Sequence, residues 1–133
     1  DLPYPGAAEF VQQIWQLGIE VSYLTGRDEY RMGKGSRKVL EKWNFPLNSS
    51  TAQLVLKPHR SIDDALFKTE YFANLPSAHY AQIWFFENEP LNVNSVREAH
   101  EQVEIIFFES THSRRGTVPS DIPRIIHYLL DDH

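Results

Sequence analysis

Residues 83–86 (Ile-Trp-Phe-Phe) and 105–108 (Ile-Ile-Phe-Phe) are two runs in which every side chain is apolar. A half-buried antiparallel strand alternates apolar and polar side chains, whereas a strand covered on both faces is apolar throughout. The two runs therefore predict strands of a parallel sheet that has helices packed above and below it.

Strand-like and helix-like segments alternate outward from these runs. The strands are predicted over residues 19–24, 51–56, 82–86 and 103–108. Helices are predicted after Pro5-Gly6, from Ser36, from Ser61, from Pro90 to about Glu101, and from Ser120 or Asp121. With right-handed crossovers, the order α-β-α-β-α-β-α-β-α predicts one doubly wound α/β domain over residues 1–133.

Two of these helices carry detailed expectations. Ser61 and Asp64 have the spacing of a capping box, which predicts a helix start with Ile62, Ala65, Leu66, Thr69 and Phe72 along its inner side. The final helix is expected to turn Ile125, Ile126, Leu129 and Leu130 inward. Both helices should cover the sheet.

Composition narrows the class of protein. The chain has 133 residues, of which 41% are hydrophobic and 23% charged, as in soluble globular domains. The net charge of −5 argues against nucleic-acid binding, because phosphate contacts need a surplus of Lys and Arg. The lack of cysteine fits a reducing compartment, and we expect a cytoplasmic location. No apolar run approaches the roughly 20 residues of a membrane-spanning helix, so no membrane partner is expected.

Polar side chains follow each predicted strand. The segments are residues 25–28 (Thr-Gly-Arg-Asp), 57–58 (Lys-Pro), 87–89 (Glu-Asn-Glu) and 110–112 (Ser-Thr-His). Because ligands of doubly wound folds bind beyond the carboxyl ends of the strands, a hydroxyl, cations and carboxylates should meet at one edge. Polar residues are also common wherever a chain leaves the core, so spacing alone leaves both readings open.

The order of three segments favours a site. Residues 23–28 (Tyr-Leu-Thr-Gly-Arg-Asp), 64–68 (Asp-Ala-Leu-Phe-Lys) and 85–89 (Phe-Phe-Glu-Asn-Glu) resemble three successive motifs of the haloacid dehalogenase-like (HAD) phosphohydrolase superfamily. The pattern is most similar to the acid-phosphatase and polynucleotide-phosphatase-like branches. The resemblance spans about residues 5–115 and implies a HAD-like Rossmannoid fold.

The resemblance implies residues that bind a phosphorylated small molecule or phosphate ester. Thr25 matches the hydroxyl that hydrogen-bonds a phosphoryl oxygen, and Gly26 lets the backbone approach the anion. Arg27 matches an arginine that grips substrate phosphate, with a surface ion pair as the alternative. Lys68 matches the lysine that neutralises charge between phosphate and nucleophile, and Lys57 is its rival.

The resemblance also implies a Mg²⁺ site at the end of the third strand. Glu87 takes a position where the family normally has a metal-binding aspartate, and carboxylate oxygens suit this hard cation. Glu89 is a second candidate ligand, although capping of the helix at Pro90 is favoured for it. Asn88 stands where some relatives have another acid, and it brings no charge.

One family feature is missing. The sequence has no Asp-x-Asp after an apolar strand, the motif that carries the attacking aspartate. The resemblance implies that this strand would lie centrally, between residues 19–24 and 82–86. We therefore expect the chain to be the carboxyl-terminal part of a longer protein, in which an amino-terminal segment or a second chain completes the sheet.

Two functions follow from this resemblance. In the first, the chain is part of a Mg²⁺-dependent phosphatase that hydrolyses phosphomonoesters through an aspartyl-phosphate. The 133 residues alone would then be inactive, because they lack the attacking aspartate. The second is a HAD-like domain without catalysis that serves in binding or regulation. Thr25, Arg27 and Lys68 favour the first function, whereas Glu87 and the missing aspartate favour the second.

Overall fold

The computed structural model of the chain describes residues 3–110, 114 and 116–130, and of residues 27–34 it describes the backbone alone. The chain divides into two compact units, one of residues 1–62 with 127–133 and one of residues 63–126. We call them the first and the second unit. The single domain predicted over residues 1–133 stays a prediction.

The first unit is built around two parallel strands. Its elements are α1 (Ala7–Gln16), β1 (Val21–Asp28), α2 (Glu29–Lys42) and β2 (Ala52–Lys57). Val21 lies opposite Ala52, and the register continues to Thr25 opposite Leu56 before it becomes irregular. Val21, Ala52 and Leu56 are buried, so the apolar residues of both strands form the core of this unit.

Residues near the carboxyl end pack against the start of α1. Gly6 has φ = 78°, and a Cβ there would lie 2.7 Å from the backbone of Tyr128. The Tyr128 N–H donates to the Pro5 carbonyl at 3.2 Å, and the Tyr128 ring lies 5.6 Å from that of Phe10. Glycine is therefore required at position 6 both for its backbone conformation and for this close approach.

The second unit contains a three-stranded parallel sheet in the order β3-β4-β5. Its elements are α3 (Asp64–Asn74), a 3₁₀ turn (Ser77–His79), β3 (Ile83–Glu87), α4 (Pro90–Ala99), β4 (Val103–Phe108) and β5 (Arg124–Ile125). The residues Phe72, Phe85, Val93, Val96, Ile105 and Phe107 form its buried core. Within the described residues, β3 is an edge strand of this sheet.

The predicted fold class is confirmed at the level of an α/β protein with small parallel sheets flanked by helices. All four predicted strands form, each within two residues of its predicted start. The two apolar runs differ in burial, however. Ile105, Phe107 and Phe108 are buried, whereas Trp84 in β3 exposes 52% of its surface, so β3 is not covered on both faces.

The predicted final helix is wrong. Residues 124–125 form β5 instead, and Ile126 and Leu129 are 72% and 54% exposed. The Phe107 N–H donates to the Pro123 carbonyl and the Glu109 N–H to the Ile125 carbonyl. A proline also disfavours helical backbone in the residue before it. Pairing with β4, which no local pattern reveals, thus overrides the helical spacing.

Two predicted helix starts are also corrected. α3 begins at Asp64 after Asp63, whose carboxylate accepts from the Leu66 N–H at 3.0 Å, so the cap is Asp63 and not Ser61. Leu66 is 51% exposed, and the buried side chains of α3 are Lys68 and Phe72. α2 begins at Glu29 rather than at Ser36, because two glycines weaken a helix without ending it.

Candidate functional site

A buried ion pair joins helix α3 to the end of strand β3. The Lys68 ammonium lies 2.8 Å from Oε1 of Glu87, and the two side chains are 9% and 7% exposed. Lys68 lies on the buried side of α3 with Phe72, one turn further along. Glu87 is the last residue of β3, so its carboxylate stands at the carboxyl end of the sheet.

The carboxylate of Glu87 has two further partners, Asn92 in the first turn of α4 and Asn88 just before that helix. The Asn92 side-chain amide donates to Oε1, and the Asn88 N–H donates to Oε2 at 3.3 Å. Asn92 is itself buried. A buried charge is costly unless it is paired and hydrogen-bonded, and these contacts meet that demand. Sequence reasoning missed Asn92, which has no motif of its own and is marked only by its place just after a strand end.

Asn88 connects the ends of two neighbouring strands. Its side-chain amide lies 3.2 Å from the Ser110 hydroxyl, and Ser110 follows β4 by two residues. Because β3 and β4 are parallel, their carboxyl ends lie at the same edge of the sheet. The second unit therefore gathers an ammonium, a carboxylate, two amides and a hydroxyl at that edge. We call Lys68, Glu87, Asn88, Asn92 and Ser110 the polar cluster.

Glu89 occupies the N-cap position of α4, but its side chain makes no capping hydrogen bond. Glu89 thus stands at the predicted start of the helix, and its favourable interaction with the helix dipole stays a prediction. Its Oε2 is buried and has no hydrogen-bond partner among the described residues. Buried polar atoms are rarely left unsatisfied, so this oxygen is available to accept from a water molecule or to bind a cation.

The residues predicted to bind phosphate through β1 belong to the first unit. Thr25 and Gly26 are half-buried near the carboxyl end of β1, at the point where its register with β2 becomes irregular. The side chain of Arg27 lies outside the described residues. Of the predicted site residues, the structure therefore brings Lys68 and Glu87 into direct contact and places Thr25 and Gly26 in the other unit.

Lys57, the rival of Lys68, has a different environment. It is the last residue of β2 and is buried, and its ammonium donates to the Ile62 carbonyl at 2.8 Å and the Arg60 carbonyl at 3.5 Å. These contacts hold the loop that follows β2. Lys68 contacts the Glu87 carboxylate at a strand end instead, and which of the two lysines takes the motif position stays a prediction.

Within the described part of the chain, no group of three or more His, Cys, Asp or Glu side chains is arranged to hold a metal ion. None of the helices in the described ranges has both the length and the apolar character needed to cross a membrane.

Comparison with known proteins gives no relative for this chain. No protein-family model, no curated protein and no solved structure matches it. The resemblance to the HAD superfamily thus depends on the three sequence segments, and any activity is a proposal.

Proposed function

We propose that this chain supplies phosphate- and magnesium-binding residues of a HAD-like phosphohydrolase with a doubly wound fold, which hydrolyses phosphomonoesters. The observation that carries the proposal is the buried contact between Lys68 and Glu87 at the carboxyl end of β3. This is the edge at which open α/β sheets bind their ligands. Exposed ion pairs are common on any protein surface, but a buried one at this edge is a candidate for function.

Lys68 has hydrogen-bonding capacity left for an anion. An ammonium carries three N–H donors, and Glu87 is the only acceptor that the described residues offer it. The other two donors can meet phosphoryl oxygens. Glu87 fixes the position of the ammonium, so that its charge is preorganised for a phosphoryl group whose negative charge moves during the reaction.

The donor set at the end of β3 fits Mg²⁺. This ion is commonly held by one or two carboxylates together with water and substrate phosphate. Glu89 Oε2 is buried without a partner among the described residues, and the only described partner of Glu87 Oε2 is the Asn88 N–H. We assign these two oxygens to the ion. When bound, Mg²⁺ would supply positive charge against the phosphoryl oxygens.

The resemblance also assigns three residues of the first unit to phosphate. Thr25 would supply a hydroxyl to a phosphoryl oxygen, Gly26 a backbone that an anion can approach, and Arg27 a guanidinium that grips phosphate. The substrate class is a phosphorylated small molecule or phosphate ester. Thr25 and Gly26 lie near the carboxyl end of a parallel strand, where its register with β2 becomes irregular, which supports their assignment.

The attacking carboxylate must come from elsewhere, because the 133 residues contain no Asp-x-Asp. We propose that a further strand, from an amino-terminal segment or a second chain, pairs with β3 and carries it. β3 is apolar from Ile83 to Phe86 yet is an edge strand among the described residues. Apolar strands of this kind belong to sheet interiors, since an open apolar edge invites pairing.

The test is a phosphatase assay of the protein in its full natural length on a broad panel of phosphomonoesters. We expect turnover with Mg²⁺ and its loss with EDTA. Lys68→Met should lower kcat/KM by about a hundredfold or more, whereas Lys38→Met on the exposed surface of α2 should leave it unchanged. Lack of metal-dependent turnover on the whole panel would refute the enzymatic proposal.

A second candidate function, a non-catalytic binding or regulatory domain, has one observation in its favour. Glu87 Oε1 already has two partners, Lys68 and Asn92. The ion pair between Lys68 and Glu87 can therefore be purely structural. This candidate predicts that calorimetry detects binding of inorganic phosphate and Mg²⁺, whereas no phosphate ester is turned over. Turnover that depends on Lys68 would exclude it.

A further inference from the structure

A groove lies in the second unit, apart from the polar cluster. Its volume is about 630 Å³, and none of the cluster residues lines it. The end of α4, the start of β4 and the segment before β5 form its walls. Val103, Ile105 and Ile122 among the lining residues are buried, so the base of the groove is apolar.

The groove follows a part of β4 that has no strand beside it among the described residues. β5 begins at Arg124, opposite Phe107, and pairs only with the last two residues of β4. Toward that side, the Phe107 N–H donates to Pro123 and the Glu109 N–H to Ile125. Backbone N–H groups of a strand alternate in direction, so the Ile105 N–H points to the same side, before β5 begins. The Val103 N–H, on the same side, donates to the His100 carbonyl at 3.2 Å. The Ile105 N–H is therefore the backbone donor that the first half of β4 offers to an added strand.

The charge along the groove is negative. Glu98, Glu101 and Glu104 line it and are exposed. Its arginine, Arg97, is neutralised by Asp121, whose carboxylate oxygens lie 2.7 and 2.5 Å from the guanidinium nitrogens. Three carboxylates are thus left without a cationic neighbour among the lining residues, and they favour a positively charged occupant.

We propose that this groove binds an extended segment, rich in lysine or arginine, of a partner protein, which adds to the open half of β4 as a further strand. Strand addition takes its affinity from backbone hydrogen bonds and its specificity from alternate side chains. Here the apolar base accepts the side chains on one side of the segment, and the three glutamates attract the basic ones on the other. The proposal is independent of the phosphohydrolase function.

The first test is titration of the full-length protein with a labelled peptide, acetyl-Lys-Val-Lys-Val-Lys-amide, followed by fluorescence anisotropy. We expect saturable binding that weakens with added salt, because the charges are at the surface. The same peptide with glutamate in place of lysine should bind at least about tenfold more weakly. A version with N-methylated backbone amides should also bind more weakly, because it cannot complete the strand.

Matched variants locate the binding. Glu101→Gln with Glu104→Gln should weaken binding of the lysine peptide by about three- to tenfold. Glu9→Gln with Glu70→Gln, which removes two exposed carboxylates outside the groove, should leave binding unchanged. Circular dichroism should show equal unfolding temperatures for both variants.

Three results would overturn the proposal. One is equal affinity of the two glutamate variants, and another is equal affinity for the lysine and glutamate peptides. The third is a dimer, detected by analytical ultracentrifugation, that is disrupted by Glu101→Gln with Glu104→Gln but not by the lysine peptide. The occupant of the groove would then be a second copy of the chain.

Discussion

The Lys68 ammonium and the Glu87 carboxylate, 19 residues apart in sequence, lie 2.8 Å from each other, and each side chain is less than a tenth exposed. The pair joins a helix to the carboxyl end of a parallel strand. A buried pair of this kind is seldom the most stable choice for a core, because removing two charges from water offsets most of their attraction. The proposed binding of phosphate and Mg²⁺ gives a reason for its presence.

Lys68→Met should destabilise the protein by about 3–5 kcal/mol, because the buried Glu87 carboxylate loses its countercharge. The double variant Lys68→Met with Glu87→Leu removes both charges and should recover most of that loss. Urea unfolding followed by circular dichroism measures both. If the single and double variants were equally destabilised, the ion pair would not be the cause.

Asn92→Asp should place a second carboxylate beside Glu87 in place of the amide that donates to it. We expect a loss of stability of about 2–4 kcal/mol at pH 7, from the lost hydrogen bond and the repulsion of like charges. The control is Asn74→Asp at the exposed end of α3, and thermal unfolding of both variants at pH 7 gives the comparison. Equal stability of the two variants would contradict this account of Glu87.

Asp63→Ala should destabilise the protein by about 1 kcal/mol, because the Asp63 carboxylate accepts from the Leu66 N–H at the start of α3. Ser61→Ala should change stability by less than about 0.5 kcal/mol, as at an ordinary surface position. Chemical unfolding of the two variants decides between the observed cap and the capping box that the sequence predicts. A larger effect at Ser61 would favour the box.

Tyr23→Phe should reveal a pH-dependent contribution in the first unit. The Tyr23 hydroxyl donates to the Pro46 carbonyl at 2.6 Å, and burial raises the pKa of this hydroxyl well above its usual value. A raised pKa in the folded state means that the stabilisation is complete below the unfolded value of about 10 and is lost as the pH rises above it.

At pH 7 we expect Tyr23→Phe to cost about 1 kcal/mol, the usual worth of such a hydrogen bond. At more alkaline pH the difference should shrink, because the native protein then loses stability that the variant never had. Thermal unfolding of the protein and of the variant from pH 7 to 11 measures this. A difference that stays constant across this range would contradict the assigned pKa shift.

The strands were predictable because short apolar runs bounded by polar residues are a local signal. β4 was predicted at its observed bounds, Val103–Phe108, and β2 and β3 within one residue of theirs, whereas β1 extends four residues beyond its predicted end. The parallel arrangement was also predictable from the lack of alternation in residues 83–86 and 105–108. Burial was less predictable, since Trp84 is half exposed at an edge that the pattern does not reveal.

The final segment shows where local patterns fail. Ile125, Ile126, Leu129 and Leu130 have helical spacing, but the backbone around Pro123 pairs with β4. Such pairing depends on residues 15 or more positions away and leaves no local trace. The same holds for Asn92, whose role follows only from its position relative to Glu87 in three dimensions.

The most direct test of the central claim is nuclear magnetic resonance of the Lys68 ammonium and the Glu87 carboxylate in the full-length protein, titrated with Mg²⁺ and inorganic phosphate. The account predicts saturable shifts of both groups, with the Lys57 ammonium unchanged as an internal control, and loss of the shifts in Glu89→Gln. If millimolar Mg²⁺ and phosphate left the Lys68 and Glu87 signals where they were, the polar cluster would be a structural ion pair and the phosphohydrolase proposal would be wrong.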